Sequence, residues 1–187
     1  MGDIPARDRS SPLWTLGRDW HRISTRLYRP SPGTSALSWI AAERVAIGNL
    51  PTAATLARID DEGVTHIVNC RSIVQTLVSQ DLAAERLLLG RTRVVHAPLR
   101  DHGWSQPPRL WSPAALFAVR ALEEDPRARV LVHCHAGRRR SVMLTYAVLR
   151  LRGRSSHEAI DLIAAHRREA RFVPAYIDSV ERWLAAR

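Results

Sequence analysis

Nine residues, from His133 to Ser141, constrain the fold of this chain more than any other segment. They follow a short apolar run, Arg129–His133, that is typical of a buried parallel strand. They precede a segment, 142–149, that is apolar on almost every side and is therefore predicted to be a helix buried at the centre of a domain. The segment thus predicts a strand, a loop and a buried helix in direct succession.

Strands and helices alternate along the chain from about residue 38 onward. This alternation predicts the α/β class, with a central, mostly parallel sheet flanked by helices. Ser155 and Glu158 form a predicted capping box for one of the helices. The predicted strands are 39–40, 45–47, 64–69, 93–97 and 129–133, and the predicted helices are 51–61, 74–89, 110–124, 138–152, 156–169 and 174–186.

Residues 1–35 are rich in Pro, Ser and Arg and form a predicted basic N-terminal extension, so the main domain is assigned to 36–187. Within the extension, apolar residues recur at helical spacing, which predicts an amphipathic helix. That helix could rest on an anionic membrane surface through 13–29, or it could pack against the flank of the domain. The residues of this apolar stripe are Leu13, Leu16, Trp20, Ile23 and Leu27.

The charge balance favours an anionic ligand, because the 187 residues carry a net charge of +10. Every basic residue is Arg and the arginines are spread along the whole chain, so we interpret them as a general surface property. Motifs typical of nucleic-acid-binding proteins are absent, and no nucleic-acid partner is expected. Two cysteines exclude a disulfide scaffold, and the absence of a signal peptide or a membrane-spanning run predicts a cytoplasmic protein.

The loop after the buried strand has the residues needed to bind a phosphate ester. A loop that enters a helix presents unpaired backbone N–H groups and the positive end of the helix dipole, which lowers the pKa of a cysteine such as Cys134. Arg140 can bind two phosphate oxygens at once through its planar guanidinium. Two alternatives are a cysteine that is merely packed in the core and a zinc site formed by His133, Cys134 and His135. Adjacent side chains in an extended segment diverge, however, and no second ligand cluster completes four zinc ligands.

This segment resembles the Cys-(five residues)-Arg-(Ser/Thr) signature of the cysteine-dependent protein tyrosine phosphatases. It has the usual His before the Cys and Ala-Gly within the loop. The segments 38–49 and 63–69 resemble the opening strands of dual-specificity phosphatases. The resemblance covers about 38–187 and implies a phosphatase-type loop between a buried strand and a buried helix, in a dual-specificity-phosphatase-like catalytic domain.

The resemblance also implies a mechanism through a phosphocysteine intermediate, with no cofactor and no metal. Cys134 would be the nucleophile, and Arg140 would hold the phosphate. Asp101 lies 33 residues before Cys134, about where this subgroup keeps its general acid, and His102 is the alternative acid. The implied substrate-binding residues of the loop are His135, Ala136, Gly137, Arg138 and Arg139.

Four further residues are predicted to support this chemistry. Ser141 can donate a hydrogen bond to the sulfur and help it to leave, while His133 orients the loop. By resemblance, Asn69 ties the loop to the neighbouring strand. Cys70 is a candidate redox partner of Cys134, since both are predicted at the carboxyl ends of neighbouring strands.

The sequence leaves the substrate open. A phosphorylated protein, as expected for a tyrosine or dual-specificity phosphatase, is the first hypothesis. The basic loop residues Arg138 and Arg139 also resemble those of relatives that act on phosphoinositides or phosphatidylglycerophosphate, which makes an anionic phospholipid the alternative. These two arginines could instead simply face solvent. A third hypothesis is a non-catalytic phosphobinding module.

Overall fold

The computed structural model describes residues 37–52, 55–56 and 58–187. Among these, five strands form one sheet in the order β1-β2-β5-β3-β4, in which β1 is antiparallel to β2 and the other neighbours are parallel. The predicted α/β class and mostly parallel sheet are confirmed. The strands are β1 (Leu37–Ile40), β2 (Val45–Gly48), β3 (His66–Asn69), β4 (Val94–His96) and β5 (Val130–His133).

In the described part of the chain, two α-helices lie between β3 and β4, one lies between β4 and β5, and three follow β5. Side-chain caps begin two of them: Ser72 and Gln75 form a capping box at α1, and Ser155 and Glu158 form the predicted one at α5. None of the described helices combines the length and the apolar character needed to cross a bilayer. The helices are α1 (Ile73–Ser79), α2 (Asp81–Leu89), α3 (Ser112–Glu124), α4 (Arg140–Leu151), α5 (Ser156–His166) and α6 (Pro174–Ala185).

The sheet separates two hydrophobic clusters because successive strand residues point to opposite faces. Val132 of β5 lies in the larger cluster, together with the buried helix α4. Leu131, the residue before it, lies in the smaller cluster with α2. Residues 140–149 of α4 are all buried, as their sequence predicts.

One prediction of secondary structure is wrong, because the single helix expected over 74–89 is two helices. Gln80 adopts a left-handed conformation with φ 53° and separates α1 from α2. The break lets Asp81 turn inward, where its carboxylate lies 2.7 Å from the guanidinium of Arg71. This buried ion pair, between residues on either side of α1, outweighs the helical pattern of the segment.

Other boundaries differ less, and some predictions fall on residues that are not described. Helix α4 begins at Arg140 instead of 138, which leaves Arg138 and Arg139 in the loop. Part of the helix expected at 51–61, the amphipathic stripe of 13–29 and the extension 1–35 lie wholly or partly outside the described residues.

Candidate active site

The register of the three central strands brings the site together. His133, the last residue of β5, pairs with Gly48 of β2 and with Asn69 of β3. The carboxyl ends of three parallel strands therefore meet directly before Cys134. This edge is where ligands bind in open α/β sheets.

Cys134 is buried, and its sulfur has two hydrogen-bonding neighbours. The Ser141 hydroxyl oxygen lies 3.3 Å from Sγ, and the Gly137 backbone N–H donates to Sγ across 3.2 Å. Burial alone raises the pKa of this thiol, but the guanidinium of Arg140 and these two hydrogen bonds together lower it below the ordinary value. The lowered pKa is in the direction that the loop sequence predicts, and the role of Cys134 as a nucleophile stays a prediction.

Arg140 begins α4 and is held by two residues from distant parts of the chain. One guanidinium nitrogen, Nη1, donates to Oε1 of Gln75 across 2.7 Å, and Nη2 lies 3.4 Å from Oδ2 of Asp101. Arg139 binds the other oxygen of the same carboxylate at 3.2 Å. Asp101, predicted from its distance along the sequence, thus lies at the same site as Arg140 and Cys134.

Arg167 anchors the loop through the backbone of Gly137. This buried side chain donates from Nε to the carbonyl oxygen of Gly137 across 3.2 Å and from Nη1 to the hydroxyl of Ser38 across 3.2 Å. Gly137 has a φ of +66°, and a Cβ there would lie within 2.8 Å of Arg167, Gly48 and Asn49 atoms. Glycine is required at this position, since both the backbone conformation and the space exclude a side chain.

His133 is held by a buried charge network behind the loop. Its Nε2 lies 2.8 Å from a carboxylate oxygen of Glu85, and Asn69 Nδ2 donates to both Glu85 and Asp81. Burial lowers the pKa of His133, but the facing Glu85 carboxylate and, after it, Asp81 raise it above the ordinary value. His133 and Asn69 therefore share Glu85 as a partner. Asn69 is linked to His133, at the strand end before the loop, through the carboxylates of Glu85 and Asp81.

Asp81, Glu85 and His133 place ligand-type atoms within 4.8 Å of one another. The donors Arg71 and Asn69 already bind the two carboxylates. We therefore interpret this cluster as a network of paired charges and not as a metal site.

A pocket of about 530 Å³ opens at the loop. Cys134, Ala136 and Asp101 line it, so the cysteine and the acidic residue border the same space. Its basic residues are Arg138 and Arg139, which are half-buried at the pocket wall, and Arg171, whose backbone N–H donates to the carbonyl oxygen of Arg138 across 2.8 Å. Arg138 and Arg139 therefore border the pocket, and their part in substrate binding stays a prediction.

The remaining predicted residues lie near the loop in different roles. The carbonyl oxygen of His135 accepts from the Leu50 N–H across 3.1 Å, and burial lowers the pKa of its ring. His102 is exposed and stacks against Trp104, outside the residues that line the pocket.

Cys70 is buried beside β5, where its N–H donates to the His133 carbonyl across 2.8 Å. Burial and the neighbouring Cys134 raise the pKa of Cys70 well above the ordinary value.

Several functional residues were not found from the sequence. Arg167 and Arg171 are two among many arginines, and no local pattern distinguishes them. Glu85 looks like an ordinary helix residue. Gln75 carries a detectable signal, since it lies three residues after Ser72 as in a capping box, but this pattern does not predict contact with Arg140.

Comparison with known proteins supports this description of the fold. Neither a protein-family model nor a curated protein sequence matches the chain. Solved structures do: human DUSP28 is 22% identical, with a TM-score of 0.66 over 84% of this chain and 97% of that one. PTPMT1 in complex with PI(5)P is 19% identical, with a TM-score of 0.69 over 81% and 96%. Tk-PTP in the active form is 25% identical, with a TM-score of 0.59 over 81% and 97%.

The chain therefore has the fold of the dual-specificity phosphatases. The fold expected from the sequence resemblance is confirmed.

Proposed function

We propose that this protein hydrolyses phosphate monoesters through a phosphocysteine intermediate. The observation that carries the proposal is the position of Cys134, which lines the pocket with a lowered pKa while Arg140 and Asp101 meet beside it. A thiolate is the nucleophilic form of cysteine, and a bidentate guanidinium matches two phosphate oxygens. The non-catalytic phosphobinding module is disfavoured because nucleophile, cation and carboxyl group are all present.

The first step is an in-line displacement at phosphorus. The Cys134 thiolate forms the S–P bond while the P–O bond to the leaving group breaks, and the Asp101 carboxyl group gives that oxygen its proton. A bound phosphate competes with Gln75 and Asp101 for the guanidinium of Arg140. The loop N–H groups of 135–140 and Arg140 stabilise the equatorial oxygens.

The second step releases the enzyme. Asp101, now a carboxylate, takes a proton from water as the water oxygen attacks the phosphocysteine and the S–P bond breaks. The hydroxyl of Ser141, 3.3 Å from Sγ, donates to the departing thiolate. Inorganic phosphate and the free thiolate result, so atoms and charges balance without a cofactor.

Hydrolysis of an aryl phosphate by purified protein in the presence of a chelator tests the proposal. We expect Cys134→Ser to abolish turnover, because a serine hydroxyl does not ionise near neutral pH. Arg140→Lys should lower kcat/KM by about 100-fold or more, since an ammonium cannot bind two oxygens with one planar group. Arg127→Lys, at an exposed and remote position, is the matched control. Turnover by Cys134→Ser above a few per cent of the wild-type rate would refute the mechanism.

A phosphorylated protein side chain is the first substrate candidate, since a pocket of about 530 Å³ that opens to the surface can admit a phosphotyrosine. An anionic phospholipid is the second. It is favoured by Arg138, Arg139 and Arg171 around the same pocket, and one structure with this fold was solved with PI(5)P. A panel of phosphopeptides and phosphoinositides, with Cys134→Ser as the blank, distinguishes the two.

A further inference from the structure

The outer face of α1 carries four large apolar side chains. Ile73, Val74, Leu77 and Val78 are 58–69% exposed and recur at helical spacing along one side of the helix. An exposed helix face is normally polar, and contiguous exposed apolar groups mark a surface that binds something. We call these four residues the apolar α1 face.

The apolar α1 face lies next to the candidate active site. Gln75, on the inner side of α1, accepts a hydrogen bond from Arg140, and Asp101 contacts the same guanidinium. Trp104, three residues after Asp101, is 75% exposed. The helix and the loop that carry the most exposed apolar side chains therefore meet at one catalytic arginine.

Within the described segment 71–100, which includes this helix, no acidic side chain faces outward, and the nearby carboxylate of Asp101 is paired with Arg139 and Arg140. Between residues 71 and 100 the only acidic residues are Asp81 and Glu85, and both are 0% exposed in the network behind the loop. The charged residues of that segment that do reach the surface are all arginines, namely Arg86, Arg91, Arg93 and Arg100. An apolar ridge within a cationic surface is complementary to an anionic lipid bilayer.

We propose that the apolar α1 face and Trp104 dock this protein onto the surface of an anionic bilayer. A tryptophan, short aliphatic side chains and flanking arginines are the groups that enter the interfacial region of a membrane. A protein partner is less suited to this surface, because a standard protein–protein interface takes roughly 20 to 30 residues on each side. The proposal goes beyond the proposed function and does not depend on catalysis.

Co-sedimentation of the full chain with lipid vesicles tests the proposal. We expect binding to vesicles of equal parts phosphatidylcholine and phosphatidylglycerol and much weaker binding to phosphatidylcholine alone. The double variant Val74→Glu/Leu77→Glu should weaken binding by about tenfold or more, since two buried aliphatic contacts are lost. The matched control is Ala164→Glu/Ala165→Glu, which makes the same charge change at exposed positions of α5. It should retain most of the binding.

Other results would overturn the proposal. One is that Val74→Glu/Leu77→Glu, the α1 variant, binds vesicles as well as the wild type does. Another is that the α1 variant and its control lose binding equally. A third is that binding is lost only with Leu16→Glu/Ile23→Glu in the N-terminal extension. A concentration-dependent dimer that the α1 variant abolishes would assign the surface to a second copy of this chain.

Two further variants keep the test independent of folding and of catalysis. Trp104→Ala changes only an exposed side chain and should weaken vesicle binding several-fold, whatever happens to the α1 variant. Cys134→Ser should bind vesicles as the wild type does. Loss of turnover with retained binding would separate the two proposals, because vesicle binding needs no thiolate.

Discussion

The guanidinium of Arg140 lies 3.4 Å from the carboxylate of Asp101, although 39 positions along the chain separate the two residues. Arg140 begins a buried helix, whereas Asp101 belongs to a loop that is partly exposed. Their contact brings an acidic group to the rim of a site whose remaining charge is positive. In the proposed mechanism, a phosphate that binds Arg140 would therefore lie next to the carboxyl group that protonates its leaving oxygen.

Asp101→Asn should lower kcat by about 100-fold for substrates with a phenol or alcohol leaving group, because the amide cannot give up a proton. The loss should shrink for leaving groups of low pKa, which depart without protonation. Turnover of a series of aryl phosphates measures this dependence. An equal loss across the series would exclude Asp101 as the acid, and His102→Ala, otherwise the control, would then become the variant of interest.

Cys134 should react as a thiolate at a lower pH than an ordinary cysteine. Because Arg140, Ser141 and Gly137 together lower its pKa, the midpoint of alkylation by iodoacetate should lie at a lower pH in the folded protein than for the same thiol in the urea-unfolded chain. A Cys70→Ser background confines the reaction to one sulfur. Ser141→Ala should move the midpoint upward, and an unchanged midpoint would mean that the hydroxyl does not stabilise the thiolate.

Gly137→Ala should abolish turnover while the protein remains folded. The new Cβ would lie 2.5 Å from Arg167 Nη2 and 2.7 Å from the Gly48 carbonyl oxygen, so the loop has to move. Gly153→Ala is the matched control, since that glycine has a φ of +88° but nothing within 4 Å of the added carbon. Equal damage from both substitutions, measured by turnover and thermal unfolding, would attribute the effect to backbone strain alone.

Glu85→Gln should destabilise the protein by about 3–5 kcal/mol on the acidic side of neutrality, because it leaves the buried His133 without its counter-charge. Because folding raises the pKa of His133, this residue contributes to the free energy of unfolding. The contribution is complete below the pKa of the unfolded chain, about 6.5, and it is lost as the pH rises through the pKa of the folded protein. Urea unfolding across this range should therefore show a smaller pH dependence in the variant. Glu123→Gln, on the exposed side of α3, is the control. Equal free energies of unfolding for wild type and Glu85→Gln would argue against a charged pair.

Cys70 is proposed as the partner that traps oxidised Cys134. A sulfenic acid at Cys134 would condense with the Cys70 thiol, releasing water and forming a disulfide that dithiothreitol reduces. Mild peroxide should therefore inactivate the wild type reversibly and Cys70→Ser irreversibly. Equal recovery of the two proteins would remove Cys70 from this role.

The local part of the site could be predicted from the sequence because neighbouring residues encode it. A buried strand, a six-residue loop with one glycine and a buried helix bring Cys134, Arg140 and Ser141 together within one short segment. Their roles depend on the geometry of that short segment. The α/β class follows equally from local periodicity, which is why the five strands lie close to their predicted positions.

Only the tertiary structure decided which distant residues complete the site. Gln75 of α1 accepts a hydrogen bond from Arg140, 65 positions later, and the buried pair of Asp81 with Arg71 accompanies the break at Gln80 between α1 and α2. The contacts of Arg171 and Arg167 with the loop could not be predicted in a chain whose basic residues are all arginine. The periodicities that predict helices and strands repeat every two to four residues and can be found in a short stretch of sequence. The contacts of Arg167 and Arg171 with the loop depend instead on how separate elements pack around β5. Packing, and not local pattern, also buried both acidic groups of α2 and left the apolar α1 face exposed.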